Sequence, residues 1–465
     1  MPDFPDGPPA TAVADVLRTR RTARVRAAWG SGKTILAAET ANRIAPDGTA
    51  LVFIPDEEHL VPTVHTWRRC RRTGETVILT GGRGRHEELP AGIRQTGTAR
   101  ELATLVADTR GPLTVFTTYR NKPALQAAHR EHDVPAWDIL IAHLDLSDKA
   151  PWADLHEHDL WPARQRLYLS AARQRHTGAS IFTRRTRRGR PASVDETGTY
   201  GPLAWDRTFS SAVDETQLRD YYIVVSDAFD STLPFEFDSD TDASRRTQLL
   251  LSTVEALRVN DLRRCVFFTD SDDTSRHYAH YAIPTAIACN VWSGDHTSLR
   301  TMRRHTLLEH DTPDQRSAAL DAFNRTRTHE PGTSAVLFCT PKALAATSSL
   351  TPPAVDAAVI GHPDYSSAEL TSTVRQALRP VVDSTHPVAL IVPVAFPKGT
   401  RPDRSLLSSP AYEPASSLLR ILVSHDDRIA NEESLLQRIT GRAATAAPQR
   451  TSSTDEPDHP SRPAL

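Results

Sequence analysis

The chain has 465 residues, 39% of them hydrophobic and 24% charged, a length that suits two or three domains with real cores. Its 55 basic and 57 acidic residues leave a net charge of −2, which excludes a global field drawing it onto nucleic acid and leaves that task to local patches. No apolar run approaches the roughly 18 residues a membrane helix needs, the opening MPDFPDGPPA lacks a basic-then-apolar leader, and four scattered cysteines show neither zinc nor disulfide spacing, so a cytoplasmic compartment is expected.

Residues 1–12 are rich in proline and are expected to be a disordered tail. After them, short β-rich runs alternate with helix-compatible stretches. A first strand series is expected at Ala23–Ala27, Thr49–Ile54, Leu113–Thr118, Trp137–Ala142 and Arg166–Ser170, with a helix over Lys33–Arg43. A second is expected at Arg264–Thr269, Thr285–Val291, Ser334–Thr340, Asp356–Gly361 and Val388–Val392, after a helix over Arg245–Leu257. Runs apolar on both faces and separated by helices belong to parallel sheets, so the fold class is α/β with two tandem domains. The expected boundaries are 13–215 and 245–430, joined by a connection over 216–244 that includes the polar stretch DSDTDAS. Residues 431–465 are read as a helix end followed by a disordered tail.

The sharpest signal is Ala27-Ala28-Trp29-Gly30-Ser31-Gly32-Lys33-Thr34, between an expected strand and an expected helix. Gly30 and Gly32 let backbone approach a phosphate, and Ser31 lies between them. Successive N–H groups and the start of the helix at Lys33 would face the anion. Lys33 is the group expected on the β/γ-phosphates and the Thr34 hydroxyl the one expected on Mg²⁺. Only five of the basic residues are lysine, so a lysine at this position stands out. Ala27 replaces the loop's usual first glycine. The bland alternative is a Gly-Ser turn that happens to precede a lysine.

The segments around this loop resemble the superfamily 2 helicases of the DEAD/DEAH, restriction type. Ala50–Pro55 with the helix reaching Trp67-Arg68-Arg69 is similar to the family's next motif, and Val115–Arg120 to its following DNA-contacting element. Trp137–Ala142 resembles the strand that carries the DEAH box, and Arg166–Ala172 the strand ending in its S/T-A-T motif. Arg264–Thr269, Ser334–Ala346, Pro353–Asp356 and Ser367–Pro380 follow in family order. The resemblance spans residues 20–430 and implies two RecA-like domains, with ATP and Mg²⁺ in the cleft between them. It also implies nucleic acid, DNA rather than RNA, across their tops.

The departures fall on the chemistry. Where the family has Asp-Glu-Ala-His, this chain has His143-Leu144-Asp145-Leu146. Leucine has no acceptor and neutral histidine suits hard Mg²⁺ poorly. Asp145 is the displaced surrogate to consider, with Asp148 behind it. Ser170-Ala171-Ala172 lacks the last hydroxyl of its motif, Ala345–Ser349 lacks a glycine and an aspartate, and Gln376 stands where the first motif arginine belongs. Arg379 is left as the candidate arginine finger, a group whose loss costs about 10³–10⁵ in rate. ATP binding without fast hydrolysis or unwinding is the expectation. The alternatives are an active helicase or translocase using displaced acids, and a helicase-fold scaffold that no longer binds nucleotide.

Two basic clusters are candidates for backbone contacts to nucleic acid: Arg68, Arg69, Arg71 and Arg72 around Trp67, and the arginines of 184–190. Tyr119 and Arg120 join them through the resemblance of Val115–Arg120. Each could equally be solvated surface in an arginine-biased chain. His156/His158 and His277/His280 lack a third ligand at a known spacing, so no metal site is expected there.

Overall fold

A computed structural model describes residues 8–55, 57, 59–80, 89, 92–144, 153–171, 197–227, 242–293, 301–326, 333–347, 350–361, 365, 367–381, 386–394 and 413–429. The first domain runs α1 (Pro8–Arg20), β1 (Thr22–Ala27), α2 (Lys33–Ile44), β2 (Thr49–Ile54), α3 (Leu60–Arg69), β3 (Glu75–Leu79), β4 (Arg94–Thr96) and α4 (Ala99–Asp108). It continues through β5 (Leu113–Thr118), α5 (Lys122–Glu131), β6 (Trp137–His143), β7 (Ala163–Ser170), α6 (Thr197–Tyr200), β8 (Leu203–Arg207) and α7 (Phe209–Asp214). The second comprises β9 (Tyr221–Asp227), α8 (Asp242–Val259), β10 (Arg264–Phe268), α9 (Asp272–Ser293), β11 (Thr301–Leu307) and α10 (Pro313–Arg325). It ends with β12 (Thr333–Cys339), α11 (Pro341–Ala345), β13 (Ala357–Ile360), α12 (Ser367–Ala377), β14 (Val388–Val394) and α13 (Glu413–His425).

Among the described residues each domain is built on one sheet: eight strands in the order β4-β3-β5-β2-β6-β7-β1-β8, and six in the order β11-β12-β10-β13-β14-β9. The strand pairs are parallel throughout. A parallel sheet covered by helices on both faces needs strands that are apolar on both faces. The uninterrupted burial of LTVFTT in β5, TSAVLFC in β12 and VALIVPV in β14 meets that need. The α/β class with parallel sheets, read from those runs, is the observed one. In the first sheet β1 lies beside β7, with β6 beyond it. The loops leaving the C-terminal ends of these strands are therefore neighbours, where ligands of parallel sheets bind.

Three boundaries read from the sequence need correction. Residues 8–12 belong to α1 rather than to a tail, with Ala10, Val13 and Leu17 buried along one helical face; proline is well tolerated in a first turn. The connection drawn over 216–244 contains β9, which pairs in register with β14, Tyr221 opposite Val388 through Asp227 opposite Val394. The strand expected at Thr285–Val291 lies within α9, and β11 is the strand that follows. Its Thr, Ile and Val favour strands only weakly, and the surrounding fold overrides that preference. Residues 1–7, 228–241 and 430–465 lie outside the described residues.

The two domains share a hydrophobic cluster. Ala28 and Trp29, at the end of β1, are buried with Phe209 and Leu218 of the connecting segment, Val266 of the second sheet, and Leu418 of α13.

Candidate nucleotide site at the Lys33 loop

The loop over 28–32 is shaped by its glycines. Gly30 and Gly32 have φ of 70° and 83°, values that cost an L side chain but not glycine. A Cβ on Gly30 would also lie 3.2 Å from Leu218 Cδ2. Gly32 is the N-cap of α2 and places no side chain over its first turn. The uncapped N–H groups there point out of the helix with its positive end behind them. The Ala28 N–H donates to the Arg207 carbonyl at 2.9 Å, and the Ser31 hydroxyl donates to the Ala28 carbonyl at 2.5 Å, which holds the loop to β8 and to itself.

Lys33 folds back over this loop. Its Nζ donates to the carbonyls of Ala27 and Ala28 at 2.7 and 2.8 Å. Burial, and then the charge of Arg375 on α12, lower its pKa to about 7. His143, the last residue of β6, stands where the resemblance would place an acid. Its carbonyl accepts from Tyr119 Oη at 2.7 Å, while its Nε2 is sealed from solvent without a hydrogen-bond partner. Burial, then Lys33 and His59, lower its pKa to about 3. His425, at the end of α13, stacks on Trp29 with ring centroids 3.9 Å apart. Its Nδ1 lies 3.3 Å from the Ala171 carbonyl. Burial lowers its pKa to about 3, Lys33 adding to the shift and the Ala171 carbonyl opposing it.

Among the described residues, the group whose charge acts on Lys33 is basic, which suits a phosphate. The charges that shift Lys33, His143 and His425 are all basic, whereas Mg²⁺ is held through carboxylate oxygens. Among the described residues no group of three or more His, Cys, Asp or Glu side chains could hold a metal ion. Thr34 lies in the first turn of α2. Asp145 lies outside the described residues.

The other sequence candidates divide. Arg375, which sequence reasoning missed, is the guanidinium whose charge reaches Lys33. Arg379, the expected finger, has its Nη1 3.4 Å from Gln376 Oε1 and a pKa lowered by burial and then by Arg375. Arg375 precedes Gln376 on the same helix, and a helical side chain is aimed by its turn rather than by motif register. Tyr119 is no base-stacking platform: it is buried, stacked on Phe53 at 5.5 Å, and bonded to His143. Arg120 is exposed just beyond the C-terminal end of β5.

Arg72 is a structural strut rather than a phosphate contact. Its guanidinium donates to Thr114 Oγ1 at 2.8 Å, the Ala45 carbonyl at 3.0 Å, the Gly48 carbonyl at 3.0 Å and Asn42 Oδ1 at 3.4 Å. Burial lowers its pKa to about 10, with Asp138 opposing. Thr114 and Gly48 mark the N-terminal ends of β5 and β2, because α3 has run back across the sheet from the end that carries the Lys33 loop. Arg68, Arg69 and Arg71 are exposed at that same far edge, away from the tops of the domains. The arginines of 184–190 lie outside the described residues.

No family model matches the chain, and no curated protein matches it in sequence. Solved structures do. The ATP-dependent Type ISP restriction-modification enzyme LlaBIII bound to DNA superposes with a TM-score of 0.69 at 15% identity, over 93% of this chain and 30% of that one. A nuclease-deletion mutant of the Type ISP enzyme LlaGI, in complex with a DNA substrate mimic, gives 0.62 at 15% identity over 94% and 30%. The chain thus spans 30% of the length of each enzyme. At that identity the likeness shows the fold alone, two RecA-like α/β domains each built on a parallel sheet.

Proposed function

We propose that this protein binds ATP at the Lys33 loop and nucleic acid, DNA in preference to RNA, across its two RecA-like domains, without fast hydrolysis or unwinding. The observation that carries this reading is the pairing of the Gly30-Ser31-Gly32-Lys33 loop with His143 at the end of β6. Gly30, Gly32 and the uncapped start of α2 favour an anion, while β6 ends on His143, where a carboxylate would orient an attacking water. Support for DNA comes from the two similar enzymes, one bound to DNA and one to a DNA mimic, and from exposed Arg120 on the loop edge. Contacts would be to the backbone, since no base-reading module is evident. None of the described helices is long and apolar enough to cross a membrane, and the cytoplasm is the proposed compartment.

Titration with a fluorescent ATP analogue tests the reading. Saturable binding that Lys33→Ala weakens by at least tenfold is the expected result, with turnover below about 1 s⁻¹ in the presence of DNA. Faster turnover that disappears in Lys33→Ala would show an active ATPase with displaced acids. One observation favours the scaffold reading instead: Lys33 Nζ already bonds to the loop's own carbonyls. Absence of saturable binding would establish that alternative.

A further inference from the structure

We propose that the loop between β1 and α2 is also the joint that locks the two domains together, so that they keep one relative orientation whether or not a nucleotide or DNA is bound. The proposal concerns Ala28 and Trp29 and what covers them, and it holds for the unliganded chain as much as for a complex.

The loop carries an indole where it leaves β1, and that indole is only 4% exposed. Groups from both domains cover it: Phe209 of α7 edge-on at 6.4 Å and His425 of α13 at 3.9 Å. Ala28 and Trp29 belong to the same hydrophobic cluster as Phe268, Leu337 and Leu390 of the second sheet. Gly30 passes so close to the connecting segment that a Cβ there would meet Leu218 Cδ2 at 3.2 Å.

Polar ties surround the rings. The Asp427 carboxylate accepts from the Ser210 backbone N–H at 2.9 Å and from the Ser210 hydroxyl at 2.7 Å. Ser210 lies in the first turn of α7, where N–H groups have no partner within the helix. His425 Nδ1 lies 3.3 Å from the Ala171 carbonyl just past β7, and the Arg428 guanidinium lies over the Phe209 ring at 5.0 Å. One short stretch, 425–428, thus holds the ends of β1 and β7 and the start of α7. Parting the domains would uncover an aromatic that buries roughly 150–250 Å² and break hydrogen bonds to a carboxylate, the stronger kind. Domains move freely where their interface is small and polar; this one is apolar at its centre and tied at its rim. A ligand shifts a conformational equilibrium only by its differential affinity for two populated states. With the open arrangement suppressed, neither ligand has a second state to select.

The test is single-molecule energy transfer in the full chain, with fluorophores attached through unnatural amino acids at exposed Thr104 of α4 and Val259 of α8. One population is expected in the unliganded protein, unshifted by an ATP analogue or by duplex DNA. Trp29→Ala should raise the fraction of opened molecules by about tenfold or more. Ser210→Ala, which deletes the hydroxyl but leaves its N–H on Asp427, should raise it less. Two populations in the unliganded chain, or a shift when either ligand is added, would overturn the proposal while leaving the nucleotide reading intact. If no nucleotide binds, that reading falls, and the unliganded populations of the chain and its variants still decide this one. Should Trp29→Ala not fold, His425→Ala removes the facing ring and keeps the indole. A single unchanged population in His425→Ala combined with Ser210→Ala would show that these contacts do not lock the domains, and would overturn the proposal.

Discussion

The indole of Trp29 lies against the imidazole of His425, centroids 3.9 Å apart and rings inclined by 38°. One ring belongs to the Lys33 loop of the first domain and the other ends α13 of the second. Trp29 also meets Phe209 edge-on at 6.4 Å, so the loop is pinned to the connecting segment as well. Trp29→Ala should cost about 3–5 kcal/mol, the usual penalty for deleting a buried aromatic. His425→Ala should cost less. In a double-mutant cycle by urea denaturation, the two should couple by about 0.5–1.5 kcal/mol. Additive losses would mean that the stacked rings are neighbours without being partners.

Acid should loosen the same region. In the folded chain the pKa values of His143 and His425 are lowered to about 3, against an ordinary value near 6.5. Between those values the unfolded chain binds more protons than the folded one. The stability they contribute is therefore complete above about pH 6.5 and is lost as pH falls. Each imidazole adds about 1.4 kcal/mol of loss per pH unit in that window. Lys33 works in the opposite range: its lowered pKa of about 7 makes stability rise with pH from there toward its ordinary value. Denaturation midpoints measured at pH 7, 6 and 5 should fall progressively, and His425→Asn should remove one imidazole's share of the slope.

Arg72→Ala separates structure from binding. It deletes a guanidinium that joins the starts of β2 and β5 to the end of α2 and leaves buried acceptors unpaired, at about 1–3 kcal/mol each. A melting temperature several degrees lower is expected. The salt dependence of DNA binding should stay unchanged, because no phosphate contact is lost. Arg120→Ala should do the reverse, with little effect on stability and a shallower salt slope. A shallower slope in Arg72→Ala would return that residue to the nucleic-acid surface.

The contrast between these arginines shows where sequence reasoning reaches its limit. The turn and helix start at Lys33 were legible because they are local: GSGKT carries its own glycine turn and the first residues of α2. The central strands were legible because burial on both faces leaves unbroken apolar runs such as Ala50–Ile54. Edge strands were not, since β11 reads TMRRHTL and β4 is only three residues long. Long-range partners were the least legible. Nothing in the run Arg68–Arg72 marks one arginine as bonded to Gly48 and half-buried while Arg68, Arg69 and Arg71 face solvent, and nothing local marks Arg375 rather than Arg379 as the charge that reaches Lys33.

A final prediction concerns the ionic cluster that fastens the end of α13 to the second domain. The Asp426 carboxylate is fully buried. It accepts from Tyr221 Oη at 2.8 Å and from the backbone N–H and Nε of Arg428 at 2.9 and 3.0 Å. Arg428 also donates to Asp220 at 2.9 Å and lies over the Phe209 ring, 5.0 Å from its centroid. Burial works against the guanidinium's charge, but Asp426 and Asp220 more than offset it and hold its pKa above the usual arginine value. Removing one member of a buried pair strands the other, which costs about 3–5 kcal/mol. Asp426→Ala should therefore destabilise far more than Tyr221→Phe, which loses one hydrogen bond worth about 1–3 kcal/mol. Replacing Asp426 and Arg428 together by apolar residues should recover much of the loss, because the stranded charge goes with its partner. If the double replacement is as damaging as Asp426→Ala alone, the cluster stabilises the joint through the charges themselves rather than by keeping each other satisfied.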